Sequence, residues 1–84
     1  MSWRVLWTRR SSKDLRKLDP PTQDRVLAVL ERLAESGTGD LKKLKDVSPP
    51  EWRLRAGDVR IRLDRDAAAR SITVLRVLRR DKAY

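Results

Sequence analysis

Two hydrophobic periods divide the chain: alternation at its start and throughout its last third, and a helical repeat between them. Trp3, Val5 and Trp7 alternate with Ser2, Arg4 and Leu6, which predicts a first strand over residues 2–8. Ser11 or Ser12 is placed to cap a short helix with Asp14 in its first turn and Leu15 and Leu18 on its buried side. The sequence Asp19-Pro20-Pro21 ends that helix and starts another. Val26, Val29, Leu30 and Leu33 then fall at i, i+3, i+4 and i+7, an amphipathic stripe that stops at Ser36-Gly37. Residues 38–50 read as a connection, with Leu41 and Leu44 pinning a short turn onto the core and Lys42, Lys43 and Lys45 in a solvated loop. Pro49-Pro50 introduces extended chain. Three strands follow, over residues 51–56, 59–64 and 71–78, joined by a Gly57-Asp58 hairpin turn and a turn over 65–70. Residues 81–84 begin a final helical turn. The order β-α-α-β-β-β predicts one α+β domain over residues 1–84, with two N-terminal helices packed on a largely antiparallel four-stranded sheet.

The open face of that sheet is where the charge gathers. On the third strand Val59, Ile61 and Leu63 point one way and Arg60 and Arg62 the other; on the second, Trp52 and Leu54 oppose Arg53 and Arg55. The fourth strand is apolar on both faces, which makes it central. Leu75 and Val77 are expected to face the helices, leaving Val74, Arg76, Leu78 and Arg80 on the other side. Arg53, Arg55, Arg60, Arg76 and Arg80 then meet in one concavity, with Tyr84 at its edge. A surface of planar guanidinium forks suits a polyanion, with RNA the leading candidate.

Composition sharpens this reading. Of 21 Lys and Arg and 12 Asp and Glu, residues 52–84 hold ten and four, a net +6; the remaining eleven and eight give residues 1–51 a net +3. The excess is therefore a face rather than a coating, and it predicts fast, salt-sensitive association with polyanions. With 39% hydrophobic residues a single thin core can form, and with no cysteine it must be held by packing alone. The absence of histidine removes the usual zinc ligand and the usual general base, so neither metal nor cofactor is expected. No apolar run approaches the roughly 20 residues of a membrane span, and Met1-Ser2-Trp3-Arg4 lacks a signal-peptide stretch. A soluble cytoplasmic protein without membrane contact is the reading that follows.

The run from Trp52 to Ile61 (Trp-Arg-Leu-Arg-Ala-Gly-Asp-Val-Arg-Ile) resembles the Y-K/R-L-R-x-G-D-Y-R-V hairpin of the RelE/ParE toxin superfamily. Val74 to Tyr84 is similar to its C-terminal V-L-x-V-x-H-R-x-x-V-Y stretch, and the leading strand, the Lys13 to Leu18 segment and the helix after Pro21 fit the family's first half. The resemblance covers essentially the whole chain and implies the toxin of a type II toxin–antitoxin system, held by a cognate antitoxin. In the RelE branch it implies a metal-independent endoribonuclease that cuts mRNA on the ribosome and inhibits translation. The family's functional positions carry over to Arg53, Arg55, Arg60, Arg80 and Tyr84. Arg79 stands where the family has histidine, and Leu78 where it has glycine.

For cleavage beside a 2′-hydroxyl, Arg60, Arg80 and Tyr84 are the expected catalytic residues, with Arg60 and Arg80 meeting the charge of the transition state. Arg53, Arg55, Arg76 and Arg79 are expected to bind RNA. Arginine is a poor proton acceptor, so Tyr84, which could otherwise stack on a base, is the candidate for proton transfer. Asp58 and Asp81 read as turn or cap residues. Two other readings stand beside this one: a ParE-like inhibitor of DNA gyrase without nuclease activity, and a basic RNA-binding module with no enzymatic role.

Overall fold

A computed structural model describes residues 2–45 and 49–80. Strand β1 (Arg4–Trp7) leads into helix α1 (Arg9–Arg16) and helix α2 (Pro20–Ser36); β2 (Asp40–Lys43), β3 (Trp52–Ala56), β4 (Val59–Asp66) and β5 (Ser71–Arg79) follow. The α+β class and both helices are as the sequence predicts. The sheet has five strands rather than four, in the order β1-β5-β4-β3-β2. Strand β1 runs parallel to β5, and the other neighbours are antiparallel.

The added strand is β2. It carries one apolar residue among three charged ones, a sequence with little strand propensity of its own. It forms because Leu41 lies opposite the fully buried Leu54 at the sheet edge, where charged residues discourage pairing with other chains.

Local signals set the helix ends. Thr8, not Ser11 or Ser12, caps α1. The Ser11 backbone N–H donates to Thr8 Oγ1 and the Thr8 N–H donates to Ser11 Oγ, each at 3.0 Å. Ser11 is fully buried by this closed capping box. The shifted start moves Asp14 out of the first turn, where it was expected, towards the C-terminal end of α1. Gln23 of α2 donates to the carbonyls of Leu15 at 2.9 Å and Leu18 at 3.0 Å, satisfying acceptors left over where α1 ends. Helix α2 stops at Gly37, whose φ of 74° is the left-handed cap that glycine adopts without strain.

Both helices lie on one side of the sheet. Val26, Leu30 and Leu33 of α2 close over Leu54, Ile61, Leu63, Ile72, Val74 and Val77, all nearly inaccessible to solvent. Leu18 is buried as expected, between the helices, and Leu15 and Val29 pack at the margin of the core. The register slips between Arg62 and Leu63: Arg62 pairs with Arg76 but Leu63 pairs with Val74. This bulge inserts Leu75 and reverses the alternation along β5. Val74 is therefore in the core, opposite to expectation, and Leu75 is only half-buried. Strands β4 and β5 each run past their predicted ends, and the final helical turn expected over 81–84 lies outside the described residues.

Candidate functional site

Alternation puts the helices on one face and two rows of charge on the other. The first row crosses four strands: Lys42 on β2 opposes Arg53 on β3, which opposes Arg62 on β4, which opposes Arg76 on β5. Neighbouring strands lie about 4.8 Å apart, so four cations span roughly 14 Å. The second row reads Asp40, Arg55, Arg60, Leu78. Beyond the bulge the face changes character, with Asp64 opposite Thr73 and Asp66 opposite Ser71. The cationic half is the end next to the Gly57-Asp58 turn, where Gly57 sits at φ 61°.

Like charges directly opposite one another destabilise a sheet, and the carboxylates that relieve this row come from its flanks. Glu51 reaches Arg62 at 2.7 Å, and Asp40 stands 3.7 Å from Arg55. Arg76 is held at the far edge, where β1 has ended and α1 covers the exposed strand. Asp14 accepts from Arg76 Nε at 2.8 Å, from Arg76 Nη2 at 3.3 Å and from the Val77 backbone N–H at 3.0 Å. Burial pushes the Asp14 carboxyl up, but these hydrogen bonds and the charges of Arg76 and Lys17 outweigh it and hold its pKa below the ordinary value. Among the described residues Arg53 lacks the carboxylate partner that Arg62 and Arg76 have. It stands between Lys42 and Arg62, makes no ion pair among the described residues, and has a buried Nε without an acceptor.

The expected site residues are thus partly united. Arg53, Arg55, Arg60 and Arg76 share the open face. Arg80 follows β5 directly and is tied by its backbone N–H to the Asp58 carbonyl at 2.7 Å, beside the hairpin end of the rows. Arg79 does not join them. Its β4 partner is the fully buried Val59, so it belongs to the helix side, bound to Asp19 at 3.1 Å and Asp58 at 3.4 Å. Tyr84 lies outside the described residues. Two members of the first row are additions. Arg62 is centred between Arg53 and Arg76, a place its alternation with Arg60 already signalled. Lys42, expected in a loop, became a row member when β2 formed. Arg65 is also on the helix side, stacked 5.3 Å from the Trp3 ring and 5.7 Å from Trp52, where it packs rather than faces solvent.

The fold, a small sheet with helices packed on one face, is where the comparison with known proteins begins. The family model described as the ParE toxin of type II toxin–antitoxin systems, parDE, matches residues 5–84, and the chain belongs to that family. Solved structures agree in fold. The chain is 24% identical to a chain of the archaeal RelE–RelB complex from Pyrococcus horikoshii OT3, covering 99% of this chain and 100% of that one at a TM-score of 0.80. The RelBE2 toxin–antitoxin complex of Mycobacterium tuberculosis gives 23% identity, coverage of 95% and 100%, and a TM-score of 0.84. The RelB–RelE complex of Methanococcus jannaschii gives 26%, 95% and 95%, and 0.76. No curated protein matches the chain.

Proposed function

We propose that this type II toxin is a ribosome-dependent mRNA endoribonuclease, metal-independent and acting in the cytoplasm through residues 1–84 as one domain. The observation that carries the reading is Arg53, a cation between cations with no carboxylate of its own among the described residues. A phosphate backbone supplies the missing negative charge along the whole row. Arg53 and Arg55 hold the flanking backbone. Arg60 and Arg80, at the hairpin end, stabilise the charge that develops as the 2′-hydroxyl attacks the phosphorus. Tyr84 stacks on a base or takes part in proton transfer. Arg76 contacts RNA from the margin, and Arg79 reaches it only by leaving Asp19 and Asp58. The solved relatives include complexes of RelE with RelB, which supports a cognate antitoxin as the partner that restrains this toxin.

The family match to ParE favours a second reading, inhibition of DNA gyrase without RNA cleavage. One experiment separates the two. The purified protein is added to a translating extract, mRNA ends are mapped, and gyrase supercoiling is assayed in parallel. New mRNA ends that depend on ribosomes, with supercoiling intact, are the expected result. Intact mRNA with blocked supercoiling would overturn the nuclease reading in favour of the gyrase one.

A further inference from the structure

Helix α1 carries a second cluster of charge that the sheet face does not explain. Arg9, Arg10, Lys13, Arg16 and Lys17 are all exposed, and none of them makes an ion pair among the described residues. Arg9, Lys13 and Lys17 follow at intervals of four, a spacing at which like charges repel on a helix surface. Arg9 and Arg10 also occupy the first turn, where the helix dipole favours acids, and no acid is there. The helix's one carboxylate, Asp14, is committed to Arg76 and Val77. Lys13 and Arg16 suit the dipole at the C-terminal turn, but local stability does not account for Arg9 and Arg10 or for the repeat of like charge.

The two clusters are joined by Arg76. Its backbone stands in the row with Arg62, while its side chain helps to line an open depression of about 450 Å³ whose other walls are Arg9, Arg10, Lys13, Asp14 and Lys17. Cationic side chains thus continue from Lys42 on β2, over the edge of β5, onto α1, with the carboxylates of Glu51 and Asp14 paired among them. We propose that α1 is a second phosphate-backbone contact, which carries a single-stranded RNA onward from the sheet face without touching the bond that is cut. An acidic protein segment is the poorer fit. Every side chain lining the depression is charged, so it offers no apolar anchor of the kind that dominates protein–protein affinity. Phosphate contacts draw their affinity from counterion release and need none. The inference rests on the nucleic-acid reading for the identity of the polyanion, but not on cleavage.

The test is a salt titration of binding to a 2′-O-methyl oligonucleotide, which cannot be cleaved, read by fluorescence anisotropy. Removing one cation that touches single-stranded backbone lowers the slope of log affinity against log salt by about 0.7. Arg9→Gln/Lys13→Gln/Lys17→Gln should therefore lower it by about 2. Glutamine is a good helix former, and circular dichroism checks that the helix is retained. Lys13→Gln alone should lower the slope by about 0.7, whereas Arg32→Gln, an exposed position on α2, should leave it unchanged. The proposal is overturned if the triple variant keeps the wild-type slope, if Arg32→Gln lowers it as much as Lys13→Gln, or if wild type does not bind the oligonucleotide. Failure of the nuclease reading looks different: mRNA stays whole in the extract while the triple variant still loses slope here.

Discussion

Replacing Arg53 with glutamine should make the protein more stable and, at the same time, worse at binding RNA. Arg53 faces Lys42 on one side and Arg62 on the other, each directly opposite in the sheet. Opposed pairs of this kind contribute about 0.2–1 kcal/mol each. Two repulsive pairs therefore cost about 0.4–2 kcal/mol, at the lower end where solvent screens them and where Glu51 already offsets the charge of Arg62. Glutamine keeps part of the apolar stem, so the packing lost is about 0.5 kcal/mol. A net gain of about 0.5 kcal/mol is expected, or about 2–4 °C in Tm for a domain of this size. The assay is thermal unfolding at about 20 mM and about 500 mM salt. The gain should shrink at the higher concentration, where the Debye length falls to a few ångströms. RNA affinity, measured on the same samples at low salt, should drop. A variant less stable than wild type at low salt, or a gain that salt does not change, would refute the idea that the row repels itself.

Three further outcomes follow from the same geometry. Arg80→Ala should remove growth inhibition and lower the cleavage rate about 100- to 1,000-fold with the melting curve unchanged, since Arg80 is exposed and outside the core; full toxicity would take it out of the site. Asp14→Asn should cost about 1.5–3 kcal/mol at neutral pH through its charged hydrogen bonds. Because the folded pKa of Asp14 is lowered, its contribution is present above the ordinary value of 3.8 and lost as pH falls from there through the folded value, so wild type and variant should converge in acid; a constant gap down to about pH 2 would contradict this. Leu54→Ala should destabilise by about 2–5 kcal/mol, because Leu54 is fully buried on the helix-facing side of the sheet; a loss below about 1 kcal/mol in urea unfolding would show that the core is not closed there.

Much of this arrangement was legible in the chain because alternation is a geometric code. Val59, Ile61 and Leu63 had to share a face, and so did Arg60 and Arg62, whatever else the sheet did. The two failures of the code have physical causes. The bulge at Leu75 adds one residue, and a period of two cannot survive an odd insertion. Strand β2 is stabilised by its neighbour rather than by its own residues, so its Asp-Leu-Lys-Lys sequence announced nothing. Arg79 illustrates the limit of counting charge: it sits in the most basic part of the chain, yet Val59 opposite it and the carboxylates of Asp19 and Asp58 assign it to the other side. Asp14 was read as a helix-dipole residue, and only the folded chain could bring it to Arg76, 62 positions away.

The separation of the two faces bears on how one fold can serve different toxins. Nearly all the apolar burial here lies between the helices and the inner side of the sheet, so residues of the outer side can change with little effect on folding. That freedom is why a shared fold is a poor guide to the target, and why the polar chemistry of the outer face has to carry the argument. The freedom is not uniform along the rows. Arg62 and Arg76 are tied to Glu51 and Asp14, whose side chains are largely buried, so replacing either arginine strands a carboxylate. Among the described residues Arg53 has no such partner, and Arg55 pairs with the exposed Asp40 at 3.7 Å. A loss of activity at Arg53 or Arg55 therefore reports on the ligand, whereas a loss at Arg62 or Arg76 mixes ligand with framework. Variants of the first pair are the ones that can tell an RNA-directed toxin from a gyrase-directed one.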